Sequence, residues 1–169
     1  IMVEYKDNFL PKEAHQKLYD LMVTGDNNFP WYYTPHITRM NDKDDKGLCY
    51  FIHLFYHLDR PLSREYDEFI RPFWISLNAK AFIRIKANLY PGSNKLTQHA
   101  SHQDFDYKHK AAVYCLNTCN GYTAFKMDKG WMKVDSVANR LITFDGSMEH
   151  ASTDCTDEKT RVNINFNYL

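Results

Sequence analysis

The sequence predicts a mainly β fold, a two-sheet jelly roll of the cupin type, preceded by two helices. Two observations carry that expectation. The hydrophobic period changes from helical to two near Lys80. About eight short apolar runs then follow, separated by turn residues, a pattern of barrels and sandwiches rather than of βαβ units. The 169 residues suffice for a single domain with its own core. They divide into a helical support with a lid loop over residues 1–79 and a jelly-roll core over residues 80–169.

Each element has a local reason. Pro11 suits the first turn of a helix, Leu18, Leu21 and Met22 recur at helical spacing, and Gly25 ends it. The aromatic segment Phe29-Pro30-Trp31-Tyr32-Tyr33-Thr34-Pro35 is broken by two prolines, and is expected to roof a core ahead of lining a groove. Residues 34–47 include a polar stretch of mixed charge and no period, an exposed loop placed to close as a lid. An aromatic strand over residues 49–56 follows, and Ser63 then caps a second helix running to Leu77.

Past Lys80, Phe82, Arg84, Lys86 and Asn88 share one side of a strand, and Ala81, Ile83, Ile85, Ala87 and Leu89 share the other. That describes a strand with one apolar face. Further strands are expected over residues 102–106, 111–117, 122–126, 131–135, 140–144, 149–152 and 160–168. Turns separate them at Asn94, Asn120-Gly121, Asp128-Lys129-Gly130 and Asp145-Gly146.

Lysine plus arginine equals aspartate plus glutamate at 21 each, so the chain lacks the overall basic footprint of a nucleic-acid binder. The four cysteines form no C-x-x-C pair and read as reduced thiols. No apolar run has the length of a membrane span and no signal peptide is recognised, so a soluble cytoplasmic protein is expected.

The chemistry concentrates in His102-Gln103-Asp104. Side chains two apart on a strand share a face, so His102 and Asp104 can converge on one point, with His150 as a third partner downstream. Two imidazoles and one carboxylate leave open positions in an octahedral shell and suit non-haem Fe(II), whereas zinc favours a closed tetrahedral set.

Arg161 opens the last strand, with Asn163, Asn165 and Asn167 on alternate positions of the same face. Two readings stand open. Arg161 clamps a dicarboxylate that chelates the metal, or it forms an internal salt bridge beside asparagines on a solvated face. His99 is off the His-x-Asp spacing and is placed near the ligands without joining them. Asp106 reads as a solvated strand end, His109 between two lysines as exposed, His53 and His57 as packed and hydrogen-bonded, and Trp131 as buried.

From about Ala81 onward the chain resembles the Fe(II)- and 2-oxoglutarate-dependent dioxygenases, within them the prolyl-4-hydroxylase-like group. The matching pieces come in order: Asn88-Leu89-Tyr90-Pro91-Gly92, His102-Gln103-Asp104, Tyr114-Cys115-Leu116-Asn117, and Asn120-Gly121-Tyr122-Thr123-Ala124-Phe125. Asn139-Arg140-Leu141-Ile142-Thr143-Phe144-Asp145-Gly146, His150 and Arg161 complete the series. The resemblance implies a double-stranded β-helix holding iron by His102, Asp104 and His150.

It also implies that Arg161 binds the distal carboxylate of 2-oxoglutarate, with Tyr90, Asn88, Asn163 and Tyr114 as further co-substrate contacts. Tyr114 stands one residue before the position that some members give a tyrosine, a shift that reverses the strand face. Dioxygen would be the second co-substrate and ascorbate a candidate accessory reductant. The reaction implied is hydroxylation of an aliphatic C–H bond, with a prolyl or other peptide residue, or a small molecule, as candidate substrate. Two alternatives stay open: an alkylation-repair-like nucleic-acid demethylase, disfavoured by the zero net charge, and a non-enzymatic cupin-like metal- or sugar-binding module.

Overall fold

The computed structural model describes residues 3–25, 28–37 and 48–169. Most of the expected lid loop, residues 38–47, lies outside the described residues. The chain runs β1 (Glu4–Lys6), α1 (Lys12–Tyr19), β2 (Tyr32–Thr34), β3 (Tyr50–His57), β4 (Arg60–Pro61) and α2 (Pro72–Leu77). Then come β5 (Phe82–Pro91), β6 (Lys110–Cys115), β7 (Tyr122–Met127), β8 (Gly130–Asp135), β9 (Arg140–Asp145), β10 (His150–Ala151) and β11 (Thr160–Tyr168). The larger sheet has the order β1-β9-β6-β11-β5-β3-β2, with β4 joined to β3, and the smaller has the order β10-β7-β8.

Layering follows from residue alternation. On the outer face of the large sheet, Ile85, Ala87, Tyr114, Val162, Ile164 and Phe166 pack against Leu18, Met22, Ile70, Phe73 and Leu77 of the helical layer. On its inner face Val113, Cys115, Ile142 and Phe144 meet Phe125 and Val134 of the small sheet. The β-rich core with helices on one side is thus the expected jelly roll.

Four local details differ from the sequence reading. The first helix passes into a π-helical turn, Asp20–Thr24, before Gly25 ends it at φ 79°. The second is split into a π-helical turn, Tyr66–Ile70, and α2, because Pro72 has no N–H to continue the ladder and is tolerated as a first-turn residue.

In β5 the pairing with β11 slips, so that Arg84 faces Asn167 and Phe82 faces Tyr168, leaving Ile83 as an extra residue. The bulge turns Phe82 into the apolar core, away from Arg84. Lastly, residues 102–106 do not form a strand: the segment touches the small sheet through isolated bridges, Gln98 to Thr153 and His102 to His150. Beyond His102 the chain leaves the ladder because Arg84 and Asn165, on the large sheet, bind Asp104.

No helix among the described residues is long and apolar enough to cross a membrane.

One polar residue ties the helical layer to the sheet. Asn139, at φ 62°, accepts hydrogen bonds at Oδ1 from Leu10 N (2.8 Å) and the Tyr114 hydroxyl (2.9 Å), and donates to Leu10 O (2.8 Å). Asn139→Ala leaves these buried groups unpaired and is expected to cost about 2–3 kcal/mol, read as a lower urea midpoint; an unchanged midpoint would show that the tie is dispensable.

Candidate metal centre and co-substrate cavity

β5 and β11 lie side by side in an antiparallel register that pairs Arg161 with Tyr90, Asn163 with Asn88, Asn165 with Lys86 and Asn167 with Arg84. Val162, Ile164, Phe166 and Tyr168 point to the helices, so the intervening polar residues must face the small sheet. Arg161, Asn163, Asn165 and Asn167 are all buried. The reading of these asparagines as a solvated face is therefore overturned.

Between the sheets Lys86, Asn88 and Tyr90 of β5 and Asn163 and Asn165 of β11 line a small cavity of ≈ 40 Å³, together with His102, Asp104 and His150. His102 Nε2 lies 3.9 Å from Asp104 Oδ1, and His150 Nε2 lies 4.0 Å from Asp104 Oδ2. One donor atom from each of the three residues falls within 4.8 Å of the others, so a small inward movement of the side chains brings them to bonds of about 2.1 Å onto one ion.

The two histidines are held by reciprocal backbone bonds, His102 N to His150 O and His150 N to His102 O, both 2.9 Å. His150 Nδ1 is 2.9 Å from the Met148 carbonyl, which can only accept, so Nδ1 carries the proton and Nε2 offers its lone pair to the centre. Burial pushes His102 down to about 4, keeping it neutral and able to ligate.

Burial alone would raise the Asp104 carboxyl, but Arg84, then His150 and Lys86, outweigh it and hold the group well below the usual carboxylate range. Arg84 Nη2 donates to Oδ1 at 2.7 Å and Asn165 Nδ2 to Oδ2 at 3.1 Å, so the carboxylate is ionised and fixed in orientation. The donor set of two neutral imidazoles and one oriented carboxylate fits an Fe(II) ion with open positions.

At the other end of the row Arg161 is 0% exposed. Its Nη1 donates to Thr153 O (3.1 Å) and Nη2 to Thr123 Oγ1 (2.9 Å), while Nε has no partner among the described residues. No carboxylate among the described residues forms an ion pair with it, which removes the internal salt bridge as its explanation. Gly121 makes room for it: a Cβ there would come within 2.6 Å of Arg161 Cδ. Tyr90 is buried, stacks on Tyr50 at 5.5 Å and 8°, and has the Arg161 guanidinium 5.8 Å from its ring. Asn88 Nδ2 donates to Asn163 Oδ1 (2.9 Å), and Asn88 Oδ1 is unpartnered among the described residues.

Tyr114 is a correction. It lies on the outer face of β6, its hydroxyl bound to His15 (2.7 Å) and Asn139 and its ring against Phe73, so it cannot reach the cavity. The one-residue offset decided this, and Val113 lines the cavity instead. His109 is a second correction: it is 5% exposed, with Nε2 2.8 Å from Asn167 Oδ1 and Gly146 pressed against its ring. Trp131 is a third, being 40% exposed on β8.

His99 is buried outside the triad, with Nδ1 2.8 Å from Ser152 Oγ and its ring 5.2 Å from that of Tyr90. His53 is packed and bonded to the Pro30 carbonyl at 2.8 Å, and Asp106 is exposed. Arg84, Lys86, Thr123 and Ser152 had no role in the sequence reading. For the first two the period was visible, since Arg84, Lys86, Asn88 and Tyr90 alternate along β5, but the layer that covers their face is not a property of that strand.

Replacing Arg84 by Met removes the donor that orients Asp104 and is expected to weaken Ni(II) binding about 10–100-fold, measured by calorimetry on the folded variant. Unchanged affinity would mean that Asn165 alone positions the carboxylate.

No family model and no curated protein sequence matches the chain. Solved structures do match. A prolyl-4-hydroxylase from Pseudomonas putida superposes with a TM-score of 0.69 at 15% identity, over 98% of this chain and 91% of that one. A prolyl hydroxylase from Trichoplax adhaerens, in complex with a hypoxia inducible factor oxygen degradation domain peptide fragment, gives 0.68 at 15% identity over 98% and 83%. The epimerase SnoN, in complex with Fe3+, alpha ketoglutarate and nogalamycin RO, gives 0.68 at 9% identity over 99% and 78%. The chain shares the fold of these solved structures, two prolyl hydroxylases and an epimerase.

Proposed function

We propose that this chain is an Fe(II)- and 2-oxoglutarate-dependent oxygenase that hydroxylates an aliphatic C–H bond. The observation that carries the reading is Arg161, a fully buried guanidinium without a carboxylate partner among the described residues, bonded to Thr123, which lines the same cavity as a His-Asp-His cluster. A buried cation in that state is costly unless an anion completes it. A dicarboxylate held by Arg161 at one end and by a metal at the other completes both.

In this reading His102, Asp104 and His150 hold the iron. Arg161 receives the distal carboxylate of 2-oxoglutarate. Tyr90 closes one wall beside the guanidinium, and Asn88 Oδ1 and Asn163 present polar atoms along the length of the co-substrate. When bound, the metal would supply activation of dioxygen coupled to oxidative decarboxylation of 2-oxoglutarate to succinate and carbon dioxide. The protein's share is geometric: Arg84 and Asn165 keep Asp104 pointing inward. A peptide, a protein or a small molecule is the candidate substrate. Asn167, bound to both His109 and Asn165, supplies no cation where the alkylation-repair enzymes usually carry a further arginine, which keeps that alternative behind.

Anaerobic addition of Fe(II) and 2-oxoglutarate is expected to give the weak visible charge-transfer band of a chelated site, and its absence would count against the iron reading. His150→Ala and Asp104→Ala are expected to abolish succinate formation, whereas His99→Ala keeps most of it. Equal loss in all three would reopen the ligand assignment.

Arg161→Ala is expected to raise the 2-oxoglutarate requirement strongly, since losing one partner of a desolvated bidentate pair costs roughly 2–5 kcal/mol. An unchanged requirement would place the carboxylate clamp elsewhere.

A further inference from the structure

A second cation in the cavity is left over by the proposed reaction. Lys86 points inward from β5 between Arg84 and Asn88, and it lines the cavity with His102 and Asp104. Its ammonium lies 5.7 Å from the Tyr50 ring and makes no hydrogen bond or ion pair among the described residues. Both oxygens of the nearest carboxylate, Asp104, are already taken by Arg84 and Asn165. Asp154, the next carboxylate, is held by Ser93 Oγ and Thr97 N, both 2.7 Å, beyond the end of β5. Burial, then the charge of Arg84, lowers the Lys86 ammonium to about 8, so at neutral pH it remains largely protonated.

Charge accounting under the proposed function shows what is missing. Arg161 would take the distal carboxylate of 2-oxoglutarate, while a metal dication, Arg84 and Lys86 would share only Asp104 and the chelating carboxylate, so positive charge is left in excess at the metal end. Arg84 is hydrogen-bonded to Asp104. Lys86 acts on Asp104 only through space and makes no hydrogen bond or ion pair among the described residues. It is badly placed for the distal carboxylate: Lys86 pairs with Asn165 and Tyr90 with Arg161, four residues apart, roughly 13 Å along the strands at about 3.4 Å per residue. Lys86 stands instead at the metal end of the row, level with Asn165, which is bonded to Asp104.

We propose that Lys86 is a specificity-determining residue that binds a carboxylate of the prime substrate, so the enzyme acts on a small organic acid or on an amino acid with a free carboxylate. The inference rests on the oxygenase reading of the same cavity. An ammonium at this point holds the substrate anion at the metal end of the row, and an uncharged amide in its place leaves Lys86 without an anion.

The test uses the full chain loaded with Ni(II) and 2-oxoglutarate, which binds without turnover. N-acetyl amino acids and the matching N-acetyl amino-acid amides are presented in pairs, and binding is read by saturation-transfer NMR. Acids are expected to bind at least tenfold more tightly than their amides. Lys86→Met is expected to abolish that difference, and Lys86→Arg to retain it. The Fe(II)–2-oxoglutarate band and its midpoint concentration are expected to stay within about twofold of wild type in Lys86→Met.

Equal binding of acid and amide, or no binding of any acid at millimolar concentration, overturns the proposal. A tenfold loss of 2-oxoglutarate affinity in Lys86→Met overturns it too, by assigning Lys86 to the co-substrate. Failure of the wild-type chain to bind 2-oxoglutarate with metal at all is a different result, and it removes the oxygenase reading on which the proposal rests.

Discussion

The constraint on which the rest of the structure depends is the two-sided pairing of β5 with β11. Along β11 the residues alternate without interruption between Val, Ile, Phe and Tyr on one face and Arg161, Asn163, Asn165 and Asn167 on the other. The apolar face is buried by the helices, and large apolar side chains such as Phe166 and Phe73 meet there at 4.7 Å. Burying it forces the opposite face inward too, since the small sheet covers that side. A row of polar side chains then sits away from water, where each group needs a partner.

Much of that need is met within the chain. Asn163 is bound to Asn88, Asn165 to Asp104 and Asn167 to His109. The unmet remainder is what gives the cavity its chemistry: the Arg161 Nε, the Asn88 Oδ1 and the Lys86 ammonium. The Asp104 carboxylate links the two halves of the site, since Arg84 and Asn165 reach it from the large sheet while His102 and His150 are laddered to one another on the small one. A ligand set held from two sheets is rigid before any ion arrives, which limits the reorganisation that binding requires.

Several parts of this arrangement were legible residue by residue. The bounds of the last strand, the period of β5 past its bulge and the packed character of His53 follow from spacing and side-chain type, whereas His102, Asp104 and His150 come together without the strand over residues 102–106 that the spacing implied. Other parts were not. Whether Arg161 met a carboxylate could not be read, because its neighbours Thr123 and Thr153 come from segments with no distinguishing pattern. His109 looked exposed between two lysines, yet the fold presses it against Gly146 and Asn167. The face of Phe82 depended on a bulge at Ile83 that nothing local announces.

By itself, then, the sequence determined the element types, the alternating faces and the identity of the candidate ligands, because those depend on local periodicity and on the chemistry of single side chains. Only the tertiary structure decided whether a polar face meets water or a closed cavity. That property belongs to the second sheet laid over the first, and it turns Lys86 and Asn88 from polar positions on one face of a strand into the lining of a site.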